Sequence, residues 1–211
     1  MRASEKIITL PVLILITLSM TGVAFAHWSD EIYVEGTVEM GSCTLAFDWF
    51  EPPICTEFHE EYPGGPLVIG ELCGKDVGHT ECWYEDVIED PHTEKWGYET
   101  MVVEIHNAYP CYRVHCVFVV RNIGTIPITI MGYTATDPDG MLTWDPDLEA
   151  LVDDEGNPVI HIWHTNLVGE QIDPCNTEKA EFDFHIAQDA EECHTYRFEI
   201  ELVYNQWEHL D

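Results

Sequence analysis

Hydrophobic and polar residues alternate with a period of two along several stretches of the chain, the pattern of strands that bury one face. The clearest stretch is residues 31–40, where one face carries Ile32, Val34, Gly36, Val38 and Met40. Its other face is mostly charged, with a glutamate at residues 31, 35 and 39. Such a strand is unstable alone, because its apolar face needs a sheet to cover it. We therefore predict that residues 27–41 add a strand to a sheet.

A second region with this pattern, residues 101–131, predicts three strands in a meander. In its middle strand, Val114, Cys116 and Phe118 share one face, while Arg113 and its polar neighbours occupy the other. Turn residues separate the strands at 107–110 and 122–124. Pro127 is expected near the start of a strand or on an edge of the sheet, because proline cannot donate a ladder hydrogen bond.

Further strands are predicted at residues 43–50, 159–163, 180–186 and 196–204, and no stretch has the period of a long amphipathic helix. Many short strands separated by turns favour an all-β fold, a single jelly-roll-like β-sandwich spanning residues 27–211. Residues 48–97 are less regular and contain five prolines. We predict that they form a long, irregular insertion stabilised by disulfides, with short strands at residues 67–72 and 82–88.

The N-terminus has the pattern of an export signal. Arg2 and Lys6 precede an uncharged apolar segment that ends in Ala24-Phe25-Ala26, a small-x-small cleavage pattern. Residues 1–26 are therefore predicted to be a signal peptide, cleaved between Ala26 and His27. The apolar segment is close to the ~20 residues that span a bilayer, so an uncleaved anchor is the alternative and would be the chain's only contact with membrane. Both interpretations place the remaining residues outside the cell, secreted or at the cell surface.

All eight cysteines follow this segment, and an even number of cysteines in an oxidising compartment predicts disulfides. The pairing is not readable from the sequence. Proximity alone suggests Cys73 with Cys82 and Cys175 with Cys193. The predicted disulfide residues are Cys43, Cys55, Cys73, Cys82, Cys111, Cys116, Cys175 and Cys193.

Charge restricts the possible partners. The chain has 8 lysines and arginines against 40 aspartates and glutamates, a net charge of −32. Nucleic acid is therefore not expected as a partner, because phosphate binding needs clustered positive charge. Hard cations prefer the oxygen ligands that acidic turns supply, so calcium is an optional ligand, although no calcium loop of the helix–loop–helix type is present. The same aspartates also suit ordinary turns. The candidate ligands are Asp137, Asp139, Asp145, Asp147 and Asp153.

Catalytic motifs are not found in the sequence. There is no His-Glu-x-x-His and no Gly-x-Ser-x-Gly. His161 and His164 have a spacing that would bring them together on a helix, but they lie in a predicted strand, where the two side chains face opposite sides. We therefore predict a protein that is not an enzyme and requires no cofactor.

Three features together resemble the TasA/camelysin family of surface and biofilm-matrix proteins, which carry a SipW-dependent type of signal peptide, and their archaeal filament-forming relatives. The first is the junction Ala24-Phe-Ala-His-Trp-Ser-Asp30 with the strand that follows it. The second is Asn107-Ala-Tyr-Pro110 with Tyr112 and residues 119–127. The third is the C-terminal region, with His185-Ile-Ala-Gln188 and Thr195-Tyr-Arg-Phe198. The eight cysteines and the long insertion depart from the usual pattern of the family.

The resemblance implies a jelly-roll subunit that polymerises with itself by donor-strand complementation, in which the N-terminal strand of one copy completes the sheet of the next. The expected product is an extracellular filament, a pilus-like thread or a biofilm matrix. Two alternatives remain open. In the first, the strand at residues 31–40 pairs within its own domain and is not donated. In the second, the protein is a monomeric cell-surface module that binds calcium through its acidic turns or a glycan through its aromatic residues.

Overall fold

The computed structural model describes residues 14–18, 40–60, 65–69 and 78–206. It divides into two units, Met1–Glu39 and Met40–Asp211. In the first unit, residues 14–18 are helical, and among the described residues no helix is long and apolar enough to span a membrane. The predicted cleavage site, most of the predicted donor strand and Cys73 lie outside the described residues.

The second unit is built from strands. Those among the described residues are β1 (Leu45–Phe47), β2 (Ile54–Glu60), β3 (Leu67–Ile69), β4 (His79–Glu89), β5 (Trp96–Ala108), β6 (Tyr112–Asn122), β7 (Ile128–Thr136), β8 (Thr143–Asp145), β9 (Ala150–Val152), β10 (Pro158–Thr165), β11 (Gln171–Ile172), β12 (Thr177–Ile186) and β13 (His194–Gln206).

These strands form one curled antiparallel sheet in the order β11-β7-β13-β5-β1-β6-β12-β10-β9-β8, with β4 added to β5 and β2 and β3 added at β6. The short strand β1 joins the two layers, because it pairs with β6 along one edge and with β5 along the other. The all-β sandwich predicted from the sequence is confirmed.

The core lies between the two layers and is filled by the alternating residues of the long strands. Met101, Val103 and Ile105 of β5 are fully buried. On the neighbouring strands β6 and β12, the rings of Phe118 and Phe182 stack at 4.9 Å. The three strands predicted within residues 101–131 are present as β5, β6 and β7, but the predicted meander is wrong, because β1 lies between β5 and β6 and β13 lies between β5 and β7. β7 begins just after Pro127, where the missing N–H of proline no longer interrupts the ladder.

The region predicted as an irregular insertion, residues 48–97, is more regular than expected in its described parts. It contains β4, which pairs with β5 from His79 to Glu89, and β2, which pairs with the central strand β6. The short strands predicted at residues 67–72 and 82–88 are present as β3 and as part of β4. β4 is longer than predicted, and its full length is hard to recognise because its exposed positions include valine and its half-buried positions include tryptophan and tyrosine.

The strand predicted at residues 43–50 is shorter than expected. β1 ends at Phe47, and Trp49 is 39% exposed instead of sharing the buried face of Leu45 and Phe47. The cause is Asp48, whose carboxylate accepts the backbone N–H of Phe50 and pairs with Arg121 at 2.9 Å. An aspartate that binds the backbone two residues ahead favours a turn over continued strand.

Candidate functional site

The last strand, β13, changes neighbours along its length. It pairs with β5 from His194 to Glu201 and with β7 from Glu199 to Gln206. Past Glu201, β1 takes the next place on β5 through the pair Phe47–Tyr98. Among the described residues, β13 therefore has a strand on one edge only over residues 202–206, and a recess opens between it and β1.

This recess, which we call the β1–β13 groove, has apolar walls. Leu45, Phe47 and Tyr98 line one side, and Leu202 and Tyr204 line the other. Leu202 and Tyr204 belong to the inward face of β13, yet they are only partly buried. Burial raises the pKa of Tyr204, while a hydrogen bond from the backbone of Leu45 lowers it. That contact places the Tyr204 hydroxyl beside the backbone of β1.

The rim of the groove is acidic, with Glu99 and Glu201 among its lining residues. Beside this rim, residues 202–206 of β13 have one edge with no paired strand among the described residues.

An aromatic cluster lies on the surface beside Tyr98. Trp49 stacks on Trp96 at 4.6 Å and also contacts the ring of Phe50. These rings are 38–60% exposed, and the guanidinium of Arg121 lies 5.4 Å from the Phe50 ring. This cluster was not predicted, because alternation along a strand at residues 43–50 puts Trp49 on the same face as Leu45 and Phe47. The signal available was Asp48, a turn-forming residue within the supposed strand.

The buried carboxylate of Asp90 fixes the position of β1. Its oxygens accept hydrogen bonds from the Thr44 hydroxyl at 2.7 Å and from the backbone N–H groups of His92 and Thr93. Burial by itself raises the pKa of Asp90, but these hydrogen bonds outweigh it and hold the pKa well below its ordinary value. Thr44 directly precedes β1, so Asp90 anchors one wall of the groove.

The acidic turns use their carboxylates on their own backbone. Asp137 accepts the N–H groups of Asp139, Met141 and Leu142. Asp145 and Asp153 cap their turns in the same way. The hydrogen bonds that Asp153 accepts, first from Asn157, lower its pKa. This is the turn chemistry that the sequence also allowed, and calcium binding by Asp137, Asp139, Asp145, Asp147 and Asp153 stays a prediction.

The two histidines with helical spacing lie on opposite faces of β10, as the sequence predicted. His161 stacks with Trp163 on the outer face. His164 packs edge-on against Tyr133, a ring of the inner layer.

Three cysteines from different strands meet at one point. Cys55 of β2 and Cys82 of β4 form a disulfide. The buried thiol of Cys116 on β6 lies 2.9 Å from the Sγ of Cys55 and 3.8 Å from that of Cys82.

Cys82 is therefore not paired with Cys73, since the β4 ladder brings it to Cys55 instead. The predicted Cys175–Cys193 disulfide is also not formed. Both residues are exposed thiols, and the Sγ of Cys175 contacts the Nζ of Lys95. Cys43 is also a thiol.

No family model, curated protein or solved structure matches the chain.

Proposed function

We propose that this protein is a secreted structural subunit of an extracellular filament or matrix, in which the strand at residues 31–40 of one copy occupies the β1–β13 groove of the next. The observation that supports the proposal is the half-buried end of β13, where a strand edge that is unpaired within the described part of the chain lies beside a recess with apolar side chains. A donated strand would pair with residues 202–206 and cover Leu202 and Tyr204.

The donor and the groove are complementary in pattern. The donor presents Ile32, Val34, Gly36, Val38 and Met40 on one face, and the groove offers apolar side chains on both walls. Met40, the last residue of the predicted donor, is 77% exposed where the second unit begins. Strand addition of this kind gains main-chain hydrogen bonds for affinity and side-chain pockets for specificity.

Head-to-tail donation links different surfaces of each copy. Such a heterologous contact closes into a ring only at particular rotations and otherwise continues as a filament. The assembly needs no nucleic acid, cofactor or catalysis, and the product is a homopolymer at the cell surface or in the surrounding matrix.

The test is negative-stain electron microscopy of the chain that begins at His27, beside a version that lacks residues 27–40. The proposal expects filaments from the first and dispersed particles from the second. Two substitutions on β13 sharpen the comparison. Leu202→Asp places a charge in the groove and is expected to prevent filaments, whereas Val203→Asp, on the neighbouring exposed position, is expected to permit them.

Dispersed particles from the chain that begins at His27, at high concentration and high salt, would count against the proposal. So would filaments from the version that lacks residues 27–40. Thermal melting of both substituted proteins controls for misfolding, because a Leu202→Asp protein that is unfolded would not report on assembly.

A second candidate is a monomeric cell-surface module that binds a glycan or calcium. The exposed cluster of Trp49, Phe50 and Trp96 favours it, because sugar rings stack on exposed aromatic faces. Titration calorimetry with calcium and with soluble polysaccharides tests this candidate, and Trp96→Ala is expected to abolish glycan binding. Heat of binding that is unchanged in Trp96→Ala would exclude the cluster as the site.

A further inference from the structure

The meeting point of Cys55, Cys82 and Cys116 is the only group of three metal-ligating side chains with ligand atoms within 4.8 Å of one another in the described part of the chain. It belongs neither to the groove nor to the aromatic cluster. We infer that, once the Cys55–Cys82 disulfide is reduced, these three sulfurs form a trigonal thiolate site for one soft cation, Cu(I) or Zn(II). The disulfide and the metal are two alternative occupants of the same three side chains.

Strand pairing sets the backbone positions of the three cysteines. Cys55 lies directly opposite Cys116 in the ladder between β2 and β6. Cys82 lies opposite Val103 in the ladder between β4 and β5. These backbone ladders hold the three cysteines near one another after reduction, so only their side chains need to move for an ion to bind.

The geometry suits chelation. Zinc–thiolate bonds are ~2.3 Å long, so three sulfurs arranged around one ion lie about 4 Å from one another. The Sγ of Cys116 is already 3.8 Å from that of Cys82 and 2.9 Å from that of Cys55, so only small movements are needed once the bond between Cys55 and Cys82 is broken.

The same distances argue against simple exchange of disulfide partners. Attack on a disulfide proceeds by displacement of one sulfur along the axis of the bond that breaks. Cys116 instead approaches the disulfide from the side and lies near both sulfurs. A side-on thiol is placed to share an ion with its neighbours.

The surroundings decide which cation fits. The three ligands are all sulfur, and thiolates select Cu(I) and Zn(II) over calcium or magnesium, which prefer oxygen. Cys116 is completely buried, so an ion bound to its sulfur is shielded from water on that side.

The chemistry balances with one external reagent. A thiol or phosphine reductant supplies two electrons to the Cys55–Cys82 bond, and each sulfur takes up one proton. The cation then binds the three sulfurs and releases up to three protons, without changing its own oxidation state.

The experiment uses a chain in which the other five cysteines are serine, reduced with a phosphine and desalted under nitrogen. These five are Cys43, Cys73, Cys111, Cys175 and Cys193. Cu(I) is delivered from a coloured chelator that competes for it, and native mass spectrometry counts the bound ions. We expect one ion per chain, a loss of affinity of more than about tenfold in Cys116→Ser, and no binding before reduction.

Three results of this titration would overturn the inference. The first is equal affinity in Cys116→Ser and its parent, and the second is binding by the unreduced protein. The third is no binding by reduced protein that circular dichroism shows to be folded. If the five-serine chain does not fold, the same titration uses the unsubstituted chain, with its accessible thiols alkylated before reduction. Recovery of a Cys55–Cys116 disulfide from the unreduced protein at neutral pH would also overturn it, since the third sulfur would then serve exchange.

Discussion

Each end of β13 pairs with a neighbouring strand along one side only, among the described residues, but only the C-terminal end lies beside a recess. At residues 194–198 the strand pairs with β5 alone, and at residues 202–206 it pairs with β7 alone, among the described residues. At the first end, the inward-facing Tyr196 and Phe198 are buried. At the second end, the inward-facing Leu202 and Tyr204 are only half-buried, beside the recess that β1 leaves.

The difference shows that a free strand edge does not define a binding site by itself. At the first end, the core beneath the strand is complete, so an added strand would gain backbone hydrogen bonds but would cover little apolar surface. At the second end, an added strand would gain backbone hydrogen bonds and would also cover apolar surface. Burial of apolar area contributes about 25 cal/mol per Å², so covering two large side chains favours addition at the second end.

The largest expected effect is on stability at the complete end. Phe198→Ala removes a fully buried ring that packs against Phe184 at 5.2 Å, and the cavity is expected to cost about 3–5 kcal/mol. Leu202→Ala, at the half-buried end, is expected to cost under about 2 kcal/mol, because part of that side chain already contacts water. Both substitutions are made in the version that lacks residues 27–40, and urea unfolding measures the loss of unfolding free energy in each variant. Equal losses would contradict the comparison between the two ends.

An intermediate effect concerns the wall of the groove that β1 provides. Asp90→Asn keeps the size of the side chain but weakens the hydrogen bonds from Thr44, His92 and Thr93, with an expected loss of about 2 kcal/mol at pH 7.

The same substitution makes a prediction about pH. The pKa of Asp90 is depressed in the folded state, so its contribution is complete above its ordinary pKa of ~3.9 and is lost as the pH falls toward the folded-state pKa. The stability difference between the parent and Asp90→Asn is therefore expected to shrink below about pH 4. Unfolding curves from pH 3 to pH 7 measure this, and a difference independent of pH would show that Asp90 is not charged in the folded protein.

A smaller effect is expected from salt. The donor carries glutamates on its polar face, and the groove has Glu99 and Glu201 at its rim. Like charges repel less when salt screens them, so filaments are expected to form faster at 1 M than at 0.05 M sodium chloride. Light scattering against time measures the rate. Glu201→Gln is expected to reduce the dependence on salt, while Glu178→Gln, at an exposed position on β12, serves as the matched control.

The smallest effect is expected at the exposed face of the same strand. Val203 is 44% exposed and lies opposite Gly132. Val203→Thr is expected to change the free energy of unfolding by less than about 0.5 kcal/mol and to leave filament formation unchanged. Loss of filaments in this variant would place the subunit contact on the outer face of the sheet.

The sequence predicted the central strands well, because β6, β12 and β13 bury mainly one face and show the resulting period of two, which β5 shows at residues 103–106. It failed at β1, where Asp48 ends the strand after three residues, and it gave only part of β4, whose exposed valine and half-buried aromatic residues hide the alternation. It also failed to predict the strand order, since β5, β6 and β7 are not neighbours in the sheet. The groove was not predictable, since it arises from the departure of β13 from β5, a property of strand pairing over long sequence distances. The sulfur cluster was hidden for the same reason, because register, and not spacing, brings Cys55, Cys82 and Cys116 together.

The most direct test of strand donation is amide hydrogen exchange in β13. The protein that lacks residues 27–40 is mixed with a synthetic peptide of residues 27–40, and with a scrambled peptide of the same composition as control. The account predicts that exchange slows at residues 202–206 with the native peptide only, while residues 194–198 are unchanged. Peptide binding that leaves residues 202–206 unprotected, or protects residues 194–198 instead, would contradict it.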